Sequence, residues 1–202
     1  MSTKDRIMDI AEDMFLVHGF DGVSVRDITN AAGANVASVN YHFNSKRDLY
    51  REVFKRKLRK LSKERMGQLQ KAFADKEAPT LEEVIRSIVS IFLNDFLSSD
   101  DSMKLLTILS NEMSETGVAR DIFLEESIFP MHKLVRTNIK KAYPRLSDEK
   151  VTLCISSIFG QIFHFVRARA VIRRTVGREY DSAFIKDLID HITDFSVRGI
   201  RG

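Results

Sequence analysis

Residues 35–46 read NVASVNYHFNSK. On a helix at 100° per residue, with Val39 taken as the inward direction, Val36 and Phe43 lie within about 60° of it. Ala37 and Tyr41 then point nearly opposite, with Ser38 and Asn40 on the flanks. The outward face is small, polar and uncharged. Hydroxyl and amide groups presented this way suit the reading of base edges in a major groove. The amide of Asn40 can donate and accept at once, which matches N6 and N7 of adenine.

Such a face needs rigid support on both sides, and the flanking sequence provides it. Ile7, Ile10, Ala11, Met14 and Phe15 have helical spacing over 3–18, with Ser2 or Thr3 as cap and Gly19 as stop. Ser24 caps a short helix over 24–32 with Val25, Ile28, Ala31 and Ala32 on one side, and Asp27 favours its first turn. Gly33 ends it as a residue that tolerates positive φ. Asn35 caps the helix at about 36–42, and Ser45 caps a long one from 46 into the seventies. Helix, glycine turn, helix over 25–43 is a helix-turn-helix. The long helix is lopsided, with ten Lys or Arg over 46–65 against three acids. That run is first of all a solvated face, and it adds positive field around any polyanion.

The remainder is also helical. Only 9 Gly and 3 Pro in 202 residues leave long helices uninterrupted, and 44% hydrophobic residues supply a core. ADKEAPT is the clearest break, and Thr80 with Glu83 opens a helix to about Leu97 as a capping box. An SSDDS turn precedes a helix at about 102–115, and Gly117 breaks the chain again. Residues 119–143 read helical with Pro130 kinking or dividing the run. Helices at about 148–173 and 182–198 complete an all-α chain of about nine helices. No β alternation, repeat or low-complexity tract interrupts it. The expected division is a DNA-binding segment over 1–50 and a larger body over 51–202.

Several chemistries find no support. One cysteine, Cys154, excludes an internal disulfide, and five scattered histidines have no metal spacing. No Ser-His-Asp or phosphate-loop pattern is present, so no catalytic residue, metal or cofactor is expected. The N-terminus lacks a long apolar run, and CISSIFGQIFHFV falls short of the ~20 apolar residues of a membrane span. A cytoplasmic protein without a membrane partner is expected. The net charge of +4 permits a nucleic-acid partner.

The stretch VRDITNAAGANVASVNYHFNSKRDLY resembles the TetR family of bacterial transcriptional regulators, with Ile28, Ala32-Gly33, His42-Phe43, Ser45-Lys46 and Leu49 in the family's places. NYHF and SIFGQIFHFVRAR resemble the CecR-type subgroup. The resemblance implies a homodimer on a near-palindromic double-stranded DNA operator, acting as a repressor released by a small-molecule effector. Carried over by position, it implies DNA contacts from Ser24, Val25, Arg26, Asn35, Val36, Ala37, Ser38, Asn40, Tyr41, His42 and Lys46. It implies an apolar effector among Phe92, Phe96, Met103, Leu106, Met113, Phe123, Phe129 and Phe163, with His132 and His164 as polar exceptions. It also implies a dimer interface from the last two long helices, with Ile155, Ile158, Phe159, Gly160, Ile162, Val166, Ile185, Leu188, Ile192 and Phe195. Two letters depart from the family pattern. Thr29 replaces the usual Ala, so wider packing or a hydroxyl bonded to the backbone is expected. Asn40 replaces the usual Tyr at the groove. The residues alone also allow a helical small-molecule carrier or sensor acting through protein contacts, or a non-specific nucleic-acid binder.

Overall fold

The structure is a computed structural model that describes residues 1–74, 79–112 and 118–201. Among the described residues the regular structure is helical. Two compact units emerge, one of residues 1–62 and 100–129, the other of 63–99 and 130–202.

The first unit begins with α1 (Thr3–His18), α2 (Val25–Ala31) and α3 (Val36–Phe43) and includes the start of α4 (Lys46–Ala74). Local chemistry fixes each boundary. Ser2 with Asp5, and Ser24 with Asp27, form reciprocal capping boxes, and Asn35 accepts from the Ala37 amide. Gly33 has φ +57°, its amide donates to Asn30, and the Ala34 amide donates to Thr29. That pair closes α2 as a Schellman turn, a conformation a side chain would strain. Ile7, Phe15, Ile28, Val39, Leu49 and Tyr50 are fully buried and lock the three helices onto α4. The unit also holds α6 (Asp100–Glu112) and α7 (Arg120–Phe123), whose Leu105, Leu109 and Ile122 join the same core.

The second unit is built on α5 (Leu81–Ser98), α9 (Asp148–Arg167) and α11 (Ser182–Arg201), which pack on one another, with α8 (Phe129–Ala142) and α10 (Arg169–Val176). Thr80 and Glu83 cap α5 as expected. Between α7 and α8 the chain makes one wide turn, Leu124–Ile128, in which the Phe129 amide donates to the Leu124 carbonyl five residues back. Pro130 follows directly. It offers no amide and its ring crowds the carbonyl four residues earlier, so the run divides there without ending.

The expected helix over 148–173 is instead two, bent by 77° at Ala168. Neither Gly nor Pro marks the break. Tyr180 donates to the Phe165 carbonyl at 2.8 Å, satisfying a group that the end of α9 leaves open. No single described helix is long and apolar enough to cross a membrane; α9 and α10 pass that test only together, across their bend. The expected break at ADKEAPT, the end of the 102–115 helix and the break at Gly117 fall largely outside the described residues.

Candidate nucleic-acid interface

The surface of α3 divides as its periodicity requires. Val39 and Phe43 are buried, while Ala37, Asn40 and Tyr41 are exposed and Ser38 is half-buried. Tyr41 is 84% exposed, an unusual position for so large an apolar body in a protein surface. Val36 was expected to help anchor α3, yet it is 39% exposed, because at the first helical position it has no preceding turn to pack on. Among the described residues, no intramolecular hydrogen bond engages the Ser38 hydroxyl, the Asn40 amide or the Tyr41 hydroxyl. Their donors and acceptors are therefore available to another molecule.

The neighbours of that face are polar. Ser24, Arg26 and Asn35 are exposed, Val25 and His42 are half-buried, and the His42 ring meets Tyr41 edge-on at 4.9 Å. Ser24 and Asn35 are also the caps of α2 and α3, so their side chains already serve the fold. Thr29 is buried, and its hydroxyl donates to the carbonyls of Val25 and Arg26 at 3.0 and 3.2 Å. Of the two expectations for this letter, the hydroxyl bonded to the backbone is the one seen.

The cations of α4 are less uniform than their sequence run suggests. Arg56 pairs with Asp9 and Glu12, Lys57 with Glu12, Arg59 with Glu126, and Arg51 donates to the Val118 carbonyl at 2.8 Å. These groups hold the first unit together. Lys46 differs. Its ammonium lies 4.2 Å from the centre of the Phe20 ring, and no carboxylate pairs with it among the described residues.

Set against known proteins, residues 81–200 match the family model of the HTH-type transcriptional dual regulator CecR, C-terminal domain, and residues 7–53 match that of the bacterial regulatory proteins, tetR family. The first match alone covers more than half of the chain.

The chain belongs to the TetR family of transcriptional regulators.

Relatives agree. The HTH-type transcriptional regulator AcrR of Shigella flexneri is 25% identical over 57% of this chain and 51% of its own length. IcaR of Staphylococcus aureus (strain Newman), a negative transcriptional regulator of the biofilm operon icaADBC, is 38% identical over 26% of this chain and 28% of its own. The stretches matched in these curated relatives thus span 28% to 51% of their length. The solved structure of the fatty acid degradation regulator FadR from Bacillus halodurans has the same fold, with a TM-score of 0.63 at 20% identity over 97% of this chain and 95% of that one. TetR-family regulators are DNA-binding rather than enzymatic proteins, which agrees with the absence of a catalytic pattern in the sequence.

The candidate effector residues of this TetR-family chain fall in both units. In the second, Phe92 and Phe96 are buried and Phe163 half-buried, joined through Phe159 with ring centres 4.8 to 6.2 Å apart. His132 meets Thr152 at 3.1 Å, and His164 is exposed. In the first, Leu106 is buried, Met103 and Phe123 half-buried and Phe129 exposed. Met113 lies outside the described residues. Sequence reasoning missed Arg65, which stacks on Phe92 and Phe96 while pairing with Asp95. The available signal was Asp95, a lone acid set between Phe92 and Phe96 on an apolar helix face.

Most of the candidate interface stripe is turned inward. Ile155, Ile158, Phe159, Ile162, Val166, Leu188 and Ile192 are buried in the second unit's own core, and Ile185 is half-buried. The stripe on α9 is wide because α5 and α11 of the same chain flank it. Gly160 and Phe195 are the exposed members. A side-chain carbon built at Gly160 would meet nothing within 4 Å. Leu153, Gly160 and His164 form an exposed row on α9, beside Phe195 on α11, which shares a groove with Leu153.

Proposed function

We propose that this TetR-family chain is a repressor that binds a near-palindromic operator as a homodimer and is released by a small apolar effector. Residues 1–50 carry DNA binding, and 51–202 carry effector binding and dimerisation. The observation that carries the reading is the outward face of α3, where Ser38, Asn40 and Tyr41 present hydrogen-bonding groups that nothing among the described residues uses. Val25, Arg26, Val36, Ala37 and His42 border that face. Two such faces read half-sites about 34–36 Å apart. IcaR is described as a negative regulator, which supports repression.

The exposed row of α9 and α11 is where the second copy docks. Leu153 and Phe195 supply apolar area, and Gly160 lets a partner helix approach. In the effector site, the aromatic cluster of Phe92, Phe96 and Phe163 supplies apolar walls and Arg65 a polar group. Operator and effector then weaken each other's binding by the same factor. The setting is the cytoplasm, where operator and effector meet.

Selection from random DNA duplexes with purified protein, followed by footprinting of the enriched sequence, tests the reading. A bounded, near-symmetric footprint is expected. Protection without boundaries would point to a non-specific binder, and no protection to a small-molecule carrier.

A further inference from the structure

Three cations on the first half of α4 are neutralised by carboxylates, and Lys46 is held differently. Arg56, Lys57 and Arg59 each face Asp or Glu oxygens at 2.7 to 3.0 Å. Lys46 instead lies against the face of Phe20 at 4.2 Å. The two kinds of partner leave different residues behind. A carboxylate cancels the charge and takes up the N–H donors. An aromatic face attracts the ammonium through its quadrupole, leaves the net charge in place and takes up no lone-pair acceptor. Lys46 is therefore fixed in position yet still an uncompensated cation with donors to give.

The ring is itself anchored. Phe20 is half-buried and meets Tyr50 edge-on at 5.1 Å, and fully buried Tyr50 packs on Phe15 and Phe54. Lys46 is also the first residue of α4, and the Ser45 hydroxyl accepts the Asp48 amide at 3.0 Å, fixing that turn. A long lysine side chain that would otherwise sample many rotamers is thus ordered before it meets an anion, so less ordering entropy is lost on contact.

We propose that Phe20 is a positioning residue for operator binding: its ring holds the Lys46 ammonium in place for a DNA backbone phosphate. The proposal rests on the DNA-binding reading above. Phe20 itself touches no DNA.

The test is a double-mutant cycle on a duplex recovered by selection with the wild-type protein, with dissociation constants measured by fluorescence anisotropy over a range of salt. Lys46→Met weakens binding and lowers the salt slope by about one counterion. Phe20→Leu weakens binding about three- to tenfold, Phe20→Trp restores it, and Phe20→Leu adds nothing in the Lys46→Met background. In the free wild-type protein, ring currents shift the Lys46 Hε protons upfield, a readout that needs no variant. Additive losses, an unshifted Hε signal, or full affinity of Lys46→Met would each overturn the proposal while a selected duplex keeps the DNA reading standing. Failure of the wild-type protein to select any duplex overturns both.

Discussion

Arg65 and Asp95 meet inside the second unit, with two guanidinium nitrogens 3.1 and 2.5 Å from one carboxylate oxygen. The guanidinium also lies over the rings of Phe92 and Phe96, at 5.3 and 4.8 Å. Arg65 is 11% exposed and Asp95 25%, so neither charge is well hydrated and each depends on the other. Removing one partner strands the second in an aromatic setting, which is worse than removing both. Asp95→Asn is expected to lower stability by about 2 kcal/mol, below the full buried-pair range because water reaches part of the pair. The Arg65→Met, Asp95→Leu double variant should lose less than Asp95→Asn alone. Urea unfolding of the wild type and the two variants decides the matter, and a double variant that loses as much as Asp95→Asn or more would sink the coupling.

Asn40 is the letter that sets the outward face of α3 apart. Its amide is exposed and unengaged, and a bidentate amide contact to adenine is worth about 1 to 3 kcal/mol of discrimination. Asn40→Ala should therefore lose roughly tenfold or more on the selected operator while its preference relaxes at one base pair of each half-site. Affinities across a panel of single-base operator variants measure this. A uniform loss over the panel would place Asn40 on the backbone instead.

How much of this was legible depended on whether the cause was local. Ser24, Asn35 and Thr80 caps and the Gly33 turn act within a few residues, so the helix-turn-helix and its outward face could be drawn from sequence. Pairings such as Arg56 with Asp9 and Glu12, or Lys46 with Phe20, join residues far apart in the chain, and no periodicity encodes them. The bend at Ala168 carries no breaker residue; Tyr180, twelve residues on, stabilises it through the Phe165 carbonyl. The broad apolar stripe of α9 reads the same from sequence whether a second copy or the chain's own α5 and α11 cover it. Packing assigns most of it to the chain itself.

The cap that starts α2 makes a pH prediction. Asp27 is held below its ordinary value of 3.8, first by a hydrogen bond from the Ser24 side chain and then by one from the Ser24 backbone amide at 2.9 Å. A carboxyl depressed in the folded state adds stability that is fully present above its unfolded value and is lost as pH falls through the folded one. Thermal melts should therefore show an acid-side loss that Asp27→Asn removes. In Ser24→Ala, NMR titration should find the Asp27 carboxyl returned toward its ordinary value. An unchanged titration in Ser24→Ala would show that the cap does not set it.

Gly160 separates a surface helix position from a contact point between copies. A side-chain carbon at Gly160 meets nothing within 4 Å in the isolated subunit. There, Gly160→Ala should raise helix stability by up to about 1 kcal/mol, because glycine is the poorer helix former. In a dimer docked on Leu153, Gly160 and Phe195, small and large substitutions part company. Alanine is tolerated, whereas Gly160→Leu pushes the partner helix away and shifts the protein to monomer, as does Phe195→Ser by removing apolar area that is 63% exposed in the single chain. Sedimentation velocity at micromolar concentration reads the outcome directly. Gly160→Leu and Phe195→Ser proteins that remain folded and fully dimeric would move the interface off this face.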